Sequence, residues 1–470
     1  MSVVHSVEAA DLLTPVSAFL RLSNLSDDPY RLLFESVEGG AARGRYSVIA
    51  LLPDLVWKCR DGQVTLDGAP IKGVPLDTLN AIVDDSQIEL PPDMPPMIGG
   101  VFGVLGYDMV RQMERLPNPP TNDLGLPEGI MIRPRLFAVF DSVRDELTLA
   151  VPVRKGTTEA EAHALLARAR SALAAPLAEV RETLPAGATL VPPVSNMTQQ
   201  QFEDCVRKAQ DYIAAGDAFQ IVPSQRFTTP FPLSPLSLYR SLRRVNPAPF
   251  LFVMELEDYA LVGSSPEILV RLRDGEVTVR PLAGTRPRGV DREEDLALEK
   301  ELLADRKELA EHLMLIDLGR NDVGRVSMLG SVDVPEKFVV ERYSHVMHIS
   351  STVTGRIAEG KTAMDALVAA FPAGTLTGAP KIRAMEIIDE LEPTRRGPYS
   401  GCVGYFGADG EMDTCIGLRM AVLKDGNMYV QAGCGVVADS DPNAEFRETQ
   451  AKARALFRAA EIAVSNAAKV

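Results

Sequence analysis

The chain has 470 residues, 46% of them apolar and 24% charged, with a net charge of −15 at neutral pH. That length supports a large core and two domains. The acidic balance argues against a general nucleic-acid binder, while leaving room for a small anionic substrate held by local arginines.

Residues 1–15 lack the basic and apolar regions of a signal peptide, and no apolar run is long enough to span a membrane. Cys59, Cys205, Cys402, Cys415 and Cys434 are odd in number, widely spaced and free of any Cys-x-x-Cys pair. Buried reduced thiols in a cytoplasmic protein are the expectation.

In chain order, the first 150 residues read as α/β, with strand-like runs at 133–140 and 146–151. Proline clusters at 91–96 and 117–120 mark long surface loops within them. A helix rich in Ala, Leu, Arg and Glu is expected from 158 to 181. The proline-bearing stretch 184–194 reads as a linker. It divides the chain into residues 1–183, a linker over 184–197, and a second domain over 198–470. That domain opens with Thr198-Gln199-Gln200-Gln201, a capping-box-like start to a helix through residue 215.

Beyond it, helices alternate with hairpins. Asp274-Gly275 separates strand-like runs at 267–273 and 276–282, and Asp409-Gly410 and Asp425-Gly426 punctuate a three-run meander over 401–437. Helices are expected at 292–318, 362–370, 380–391 and 442–465. Paired strands interleaved with helices predict an α+β fold with antiparallel sheets, not a doubly wound parallel one. There is no GxGxxG and no P-loop.

The stretch Gly433-Cys434-Gly435 leads to Asp441, a good N-cap, and Pro442, which suits a first helical turn. Glu445 and Glu448 then share one face near the helix start. Their plain reading is dipole chemistry at a helix end. The sharper one is a pair of oxygen ligands for a hard cation such as magnesium.

Six further segments combine glycine or proline with polar residues where a plain core needs neither. They are Gly216-Asp217-Ala218-Phe219-Gln220-Ile221-Val222-Pro223-Ser224, Gly263-Ser264-Ser265-Pro266-Glu267, and Arg280-Pro281-Leu282-Ala283-Gly284-Thr285-Arg286. After them come the segment from Glu311-His312-Leu313 to Asn321-Asp322, Tyr343-Ser344-His345-Val346-Met347-His348, and the run from Pro372 to Lys381. With the 433–448 stretch, and in this order, they resemble the chorismate-utilising enzymes over residue 201 to the C-terminus.

Within that family the chain resembles the anthranilate-forming branch. The resemblance implies antiparallel sheets packed face to face and flanked by helices. It also implies a reaction of chorismate with ammonia, through an aminated ring intermediate that loses pyruvate to give anthranilate. This would be the first committed step of tryptophan biosynthesis. Ammonia would come from a separate glutamine amidotransferase subunit, since the chain has no Gly-x-Cys-x-Gly nucleophile segment of its own.

The site residues follow from the same resemblance. Magnesium would be held by Glu311 and Glu448, with Glu445 bound directly or through water. Glu267 is the expected acid for the C4 hydroxyl. A turn-capping role is the commoner use of such a carboxylate. Gln220 stands where relatives that add water carry a lysine; glutamine is no base, so the site suits a nucleophile already competent. Ala283 stands where many aminodeoxychorismate synthases carry a lysine that acts covalently, which alanine cannot do.

His348, near Thr375, is expected to move a proton during loss of the hydroxyl or of pyruvate; His345 has a weaker case. Arg419, placed in the second strand of the meander, suits bidentate grip of a substrate carboxylate. Tyr399, Gly284, Thr285, Gly433, Gly435 and Lys381 complete the expected substrate contacts. Lys381 opens a helix, where its charge opposes the dipole.

The segments Leu33-Phe34-Glu35-Ser36-Val37-Glu38-Gly39-Gly40 and Gly44-Arg45-Tyr46-Ser47, with Asn246-Pro247-Ala248-Pro249-Phe250-Leu251-Phe252, resemble a tryptophan pocket. Feedback inhibition through Glu35, Ser36, Arg45, Pro249, Phe250, Leu251 and Tyr405 is implied. Phe34 replaces a more usual leucine, and Phe250-Leu251 a Tyr-Met pair. The alternatives are an aminodeoxychorismate-forming enzyme, an isochorismate- or salicylate-forming one, and a non-catalytic tryptophan-binding regulator.

Overall fold

Two long strands, Ala42–Arg60 and Gly129–Asp141, run antiparallel from end to end and form the spine of the molecule. The structure is a computed structural model and describes residues 2–38, 42–177, 182–184, 189–343 and 346–469. Gly39, Gly40, Ser344 and His345 lie outside the described residues.

Each spine strand is long enough to serve two sheets. Gly129–Asp141 pairs with Glu146–Val153 at one end and with Val101–Leu105 at the other. One sheet continues through Arg31–Glu38, Phe250–Leu256, Tyr259–Ser265, Met420–Lys424, Asn427–Gly433 and Ser224–Pro230. The other continues from Val101–Leu105 through Cys402–Phe406, Met412–Ile416, Ile268–Arg273, Glu276–Val279 and Val346–Arg356. Every pairing named is antiparallel, as the hairpin signals require. Strands from before residue 183 and after residue 198 are thus hydrogen-bonded within the same sheets.

Side-chain alternation decides what lies on each face. In Phe250–Leu256, Phe252 and Met254 enter the apolar cluster around Phe102 and Phe137. Leu251 and Val253 instead meet Leu238, Leu242 and Leu456, which come from the helices Pro235–Val245 and Pro442–Asn466. Burying one such side chain contributes roughly 2 kcal/mol.

Several helices begin where the sequence places them. Thr158 and Thr198 each close a capping box, opening Glu159–Ala174 and Gln199–Ala214. The first of these stops at Ala174, short of the expected 181, because Pro176 restricts Ala175 to extended backbone. The helix expected over 292–318 is two helices, Arg292–Ala304 and Arg306–Gly324. Asp305 divides them: its carboxylate accepts from the Lys307 and Glu308 N–H groups, at 3.0 and 3.3 Å, and so caps the second.

The meander over 401–437 has four strands, not three. Asp425-Gly426 turns one pair with both residues at positive φ, as a tight hairpin requires. The unforeseen break is Gly417–Arg419, where Arg419 takes φ +50° although it is neither glycine nor asparagine. The five cysteines are free thiols, buried except for the half-buried Cys205. Among the described residues no helix is long and apolar enough to cross a membrane.

Candidate active site

The strand Tyr259–Ser265 belongs to one sheet and its continuation, Ile268–Arg273, to the other. Their antiparallel neighbours, Met412–Ile416 and Met420–Lys424, change sheets at the same level. Glu267 and Arg419 occupy these two crossovers. Ile416 N–H donates to the Glu267 carbonyl at 3.0 Å, and Ser264 N–H to the Arg419 carbonyl at 3.0 Å.

Glu267 is 7% exposed, and Leu282 N–H reaches its Oε1 at 3.4 Å. Burial pushes its carboxyl up to about 8, against the pull of Thr375, the Leu282 amide, Arg419 and Lys452. It therefore holds a proton at neutral pH, as an acid must. The buried Thr375 hydroxyl faces it without completing a hydrogen bond of good geometry. Arg419 lies opposite, in the turn before its strand and not within it. Among the described residues its guanidinium has no carboxylate or carbonyl partner. Burial lowers its pKa, and Tyr399, Glu448 and Glu267 act against that. A half-buried, unpaired guanidinium beside a protonated acid is a receptor for a carboxylate.

Gln220, 2% exposed, forms the next wall from the short pairing of Gln220–Ile221 with Gly378–Ala379. Its Nε2 donates to Glu311 Oε1 at 2.8 Å, and its own Oε1 is buried without a partner. Gly435 lies against this pair, where a Cβ would come within 2.8 Å of Gln220 Nε2. At Gly433 a Cβ would sit 2.7 Å from the Pro223 carbonyl and 3.0 Å from the Tyr399 hydroxyl. Both glycines keep the wall open.

The three expected metal carboxylates share this side. Burial raises the pKa of Glu311 and of Glu445, and Glu448 adds repulsion to each. Glu445 Oε2 is buried without a partner. Among the described residues, however, no three acidic, His or Cys side chains converge on one point. Glu448 instead pairs with Lys452 at 2.6 Å. An all-oxygen donor set with an unsatisfied oxygen and mutual repulsion fits a hard divalent cation.

His348 lies on Val346–Arg356 opposite Thr285. Its Nδ1 donates to the Gly284 carbonyl at 3.0 Å, with Thr285 Oγ1 also 3.0 Å away. These are its hydrogen-bond partners, and Thr375, expected beside it, is not among them. The arrangement leaves Nε2 as the free, basic nitrogen. Burial lowers the imidazole to about 4, so it is neutral at pH 7. Gly284 adopts φ +61°, which brings its carbonyl under the ring.

Lys381 departs from expectation. Its ammonium is taken up by the buried Asp322 at 2.9 Å and the Ala370 carbonyl at 3.2 Å. That contact, not a substrate, accounts for a cation at a helix start.

Two contributors escaped the sequence. Lys452 donates to the Gly433 carbonyl at 3.0 Å and bridges to Glu448, placing an ammonium in the cleft. Its spacing of four from Glu448 was the available signal. The second is Arg396, 4% exposed, which binds Glu392 at 2.6 Å and the carbonyls of Leu376 and Val222 at 2.7 and 2.6 Å. It also reaches Ser400 Oγ at 3.1 Å. It thereby ties together the segments that carry Gln220, Thr375 and Tyr399. Glu392 and Ser400 lie four residues to either side, but no local pattern signals the Leu376 and Val222 carbonyls, 20 and 174 residues away.

The expected inhibitor residues divide between the two faces of their strands. Phe34, Phe250 and Tyr405 pack on the cluster around Phe102, against which Tyr405 stacks at 5.0 Å. Ser36 occupies a bulge in its strand, against Gly44. Glu35 accepts from Tyr239 and, at 2.8 Å, from Arg243. Pro249 is partly exposed just before its strand. Leu251 is buried on the opposite face, and Arg45 is exposed and paired with Asp141 at 3.0 Å. Neither of these two lines the Phe34 face.

A protonated buried acid, an unpaired arginine and a carboxylate-lined wall, set where two antiparallel sheets exchange strands, define an enzyme for a small anionic substrate. The chain belongs to the chorismate binding enzyme family, whose pattern matches residues 56–458. It is 53% identical to anthranilate synthase component 1 of Cereibacter sphaeroides, over 98% of this chain and 94% of that one. It is 46% identical to the protein of the same name from Thermus thermophilus, over 97% and 96%. The crystal structure of anthranilate synthase component I from Streptococcus pneumoniae superposes with a TM-score of 0.82 at 36% identity, covering 96% of this chain and 98% of that one. The Escherichia coli isochorismate synthase MenF shares the fold, with a TM-score of 0.73 at 19% identity over 98% and 95% of the two chains.

Proposed function

We propose that this protein converts chorismate and ammonia to anthranilate, pyruvate and water. Ammonia is supplied by a separate glutamine amidotransferase subunit, and tryptophan inhibits the reaction. The observation that carries the reading is the pairing of a carboxyl protonated at neutral pH, Glu267, with a site whose only group at the nucleophile position is a glutamine amide bonded to Glu311.

Arg419 and Lys452 hold the substrate's carboxylates, and Tyr399 borders them. Glu267 delivers its proton to the C4 oxygen, which leaves as water while ammonia bonds to the ring. Gln220 takes no proton. It orients Glu311 through its Nε2 and offers its unpartnered Oε1 to an N–H of the incoming ammonia. In the second stage a ring proton and the enolpyruvyl oxygen must depart. His348 Nε2, neutral and held by the Nδ1 bond to Gly284, accepts that proton. The ring becomes aromatic as the C–O bond to the enolpyruvyl group breaks, and the leaving enolate takes a proton from water at its methylene carbon to become pyruvate. Glu311, Glu445 and Glu448 would hold magnesium, which when bound supplies positive charge to a substrate carboxylate.

Incubating the pure chain with chorismate, ammonium and magnesium tests the proposal. Blue-fluorescent anthranilate with equimolar pyruvate is expected. A final product that carries the amine at C4 and keeps its enolpyruvyl group would instead establish the aminodeoxychorismate reaction.

A further inference from the structure

The carbonyl of Arg419 is not free. It accepts from Ser264 N–H at 3.0 Å, one residue beyond the regular ladder, which ends at Gly263 opposite Met420. Arg419 itself holds φ +50°, a conformation that costs a non-glycine residue energy and persists only when neighbours enforce it. Ser264 is fully buried, and its hydroxyl donates to the carbonyl of Asn246. Asn246 returns a bond from Nδ2 to Ser264 Oγ at 3.3 Å and caps the C-terminus of the helix Pro235–Val245. Tyr239 and Arg243 of the same helix bind Glu35. On its other edge Ser264 lies opposite Leu251.

We propose that Ser264 is a positioning residue for Arg419, and that through Asn246 and the helix Pro235–Val245 it couples the grip on the substrate carboxylate to the Glu35 pocket. The inference rests on the reading above, in which Arg419 binds the substrate and the Glu35 segments bind tryptophan. The physical basis is a continuous line of bonds through buried and half-buried groups: Glu35, the helix, Asn246, Ser264, Arg419. A buried hydroxyl has one acceptor here, so displacing the helix end by a fraction of an ångström leaves Ser264 to follow or to lose its bond. Losing it leaves the buried hydroxyl only the longer bond it accepts from Asn246 Nδ2. Following it shifts the carbonyl partner of a residue already held in a strained conformation. A ligand that draws Glu35 away from Tyr239 and Arg243 therefore acts on the orientation of Arg419, and by reciprocity bound substrate acts on the pocket.

Ser264→Ala keeps the N–H bond to Arg419 and removes the hydroxyl link to the helix. The chorismate KM is expected to rise about fivefold, the effect of one lost hydrogen bond, with kcat held within about twofold. The ratio of chorismate KM with and without saturating tryptophan should fall toward one. Calorimetry should still detect tryptophan binding. No tryptophan binding to the unaltered protein would overturn the pocket reading itself. Binding with an unchanged KM and an unchanged ratio would overturn the coupling alone, as would a loss confined to kcat. Tyr239→Phe, which breaks the far end at Glu35, provides the same ratio should Ser264→Ala not fold. A ratio equal to that of the unaltered protein again overturns the proposal.

Discussion

Gln220 Nε2 lies 2.8 Å from Glu311 Oε1, so the residue at the nucleophile position is bonded to a metal-side carboxylate and not directed at a water. A lysine here would place its ammonium against the same carboxylate and keep its proton. Gln220→Lys is therefore expected to cut amination at least about tenfold, as loss of an oriented contact does. A hydroxylated product should appear only as pH rises and the lysine deprotonates. Chromatography of products across pH 7 to 10 checks this, and absence of any hydroxylated product would remove the nucleophile argument.

Glu267 gives a signed pH prediction. Burial raises its folded pKa to about 8 from the ordinary 4.5 of a glutamate. Between those values the unfolded chain has released the proton that the folded protein retains, so stability falls as pH rises and levels off above 8. The loss relative to Glu267→Gln is on the order of 5 kcal/mol. Urea midpoints of both proteins from pH 5 to 9 measure it. Parallel curves would mean that Glu267 ionises normally. Turnover should fall through the same upper range as the acid loses its proton.

Chelation should abolish turnover, and added magnesium should restore it. Glu311→Gln removes the charge and one oxygen of that carboxylate while leaving an amide oxygen to accept from Gln220, so the magnesium needed for half-maximal rate should rise at least about tenfold. Titration of rate against magnesium tests this. An unchanged requirement would place the ion elsewhere.

Ser36 sits so close to Gly44 that a Cβ there would fall 2.3 Å from its Oγ. Gly44→Ala must displace Ser36, and Ser36→Ala removes its hydroxyl. Each should raise the tryptophan concentration for half-inhibition at least about fivefold, one hydrogen bond's worth. If inhibition is unaltered in both, the bulge takes no part in tryptophan binding.

Breaking the buried Arg396–Glu392 pair should cost far more than any exposed pair, because the remaining charge has no water to turn to. Glu392→Ala is expected to destabilise the protein by about 3–5 kcal/mol. A loss near that of the exposed Arg458–Glu461 pair would refute the role of Arg396 as a tie between site segments.

Most of the residues that the structure gathers around Glu267 were legible in the sequence. Glu267, His348, Gln220 and the glycines at 433 and 435 sit in segments whose polar and small residues make no sense as plain core. The antiparallel class was legible too, since Asp-Gly turns and capping boxes act over two to four residues. Local chemistry determined the N-caps at Thr158 and Thr198 and the hairpins at 274–275 and 425–426. It also determined that Glu445 and Glu448 share a helix face.

What only the tertiary structure decided depends on partners far apart in the chain. Sequence shows a lysine opening a helix, but Asp322, 59 residues away, is what satisfies Lys381. Leu251 and Phe250 are equal as apolar residues, and the pleat of the assembled sheet sends only one toward Phe34. Arg419 reads as a strand residue until two sheets must exchange strands at its position. The carboxyl of Glu267 is an ordinary acid in the unfolded chain. It keeps its proton at neutral pH only because the crossover removes it from water.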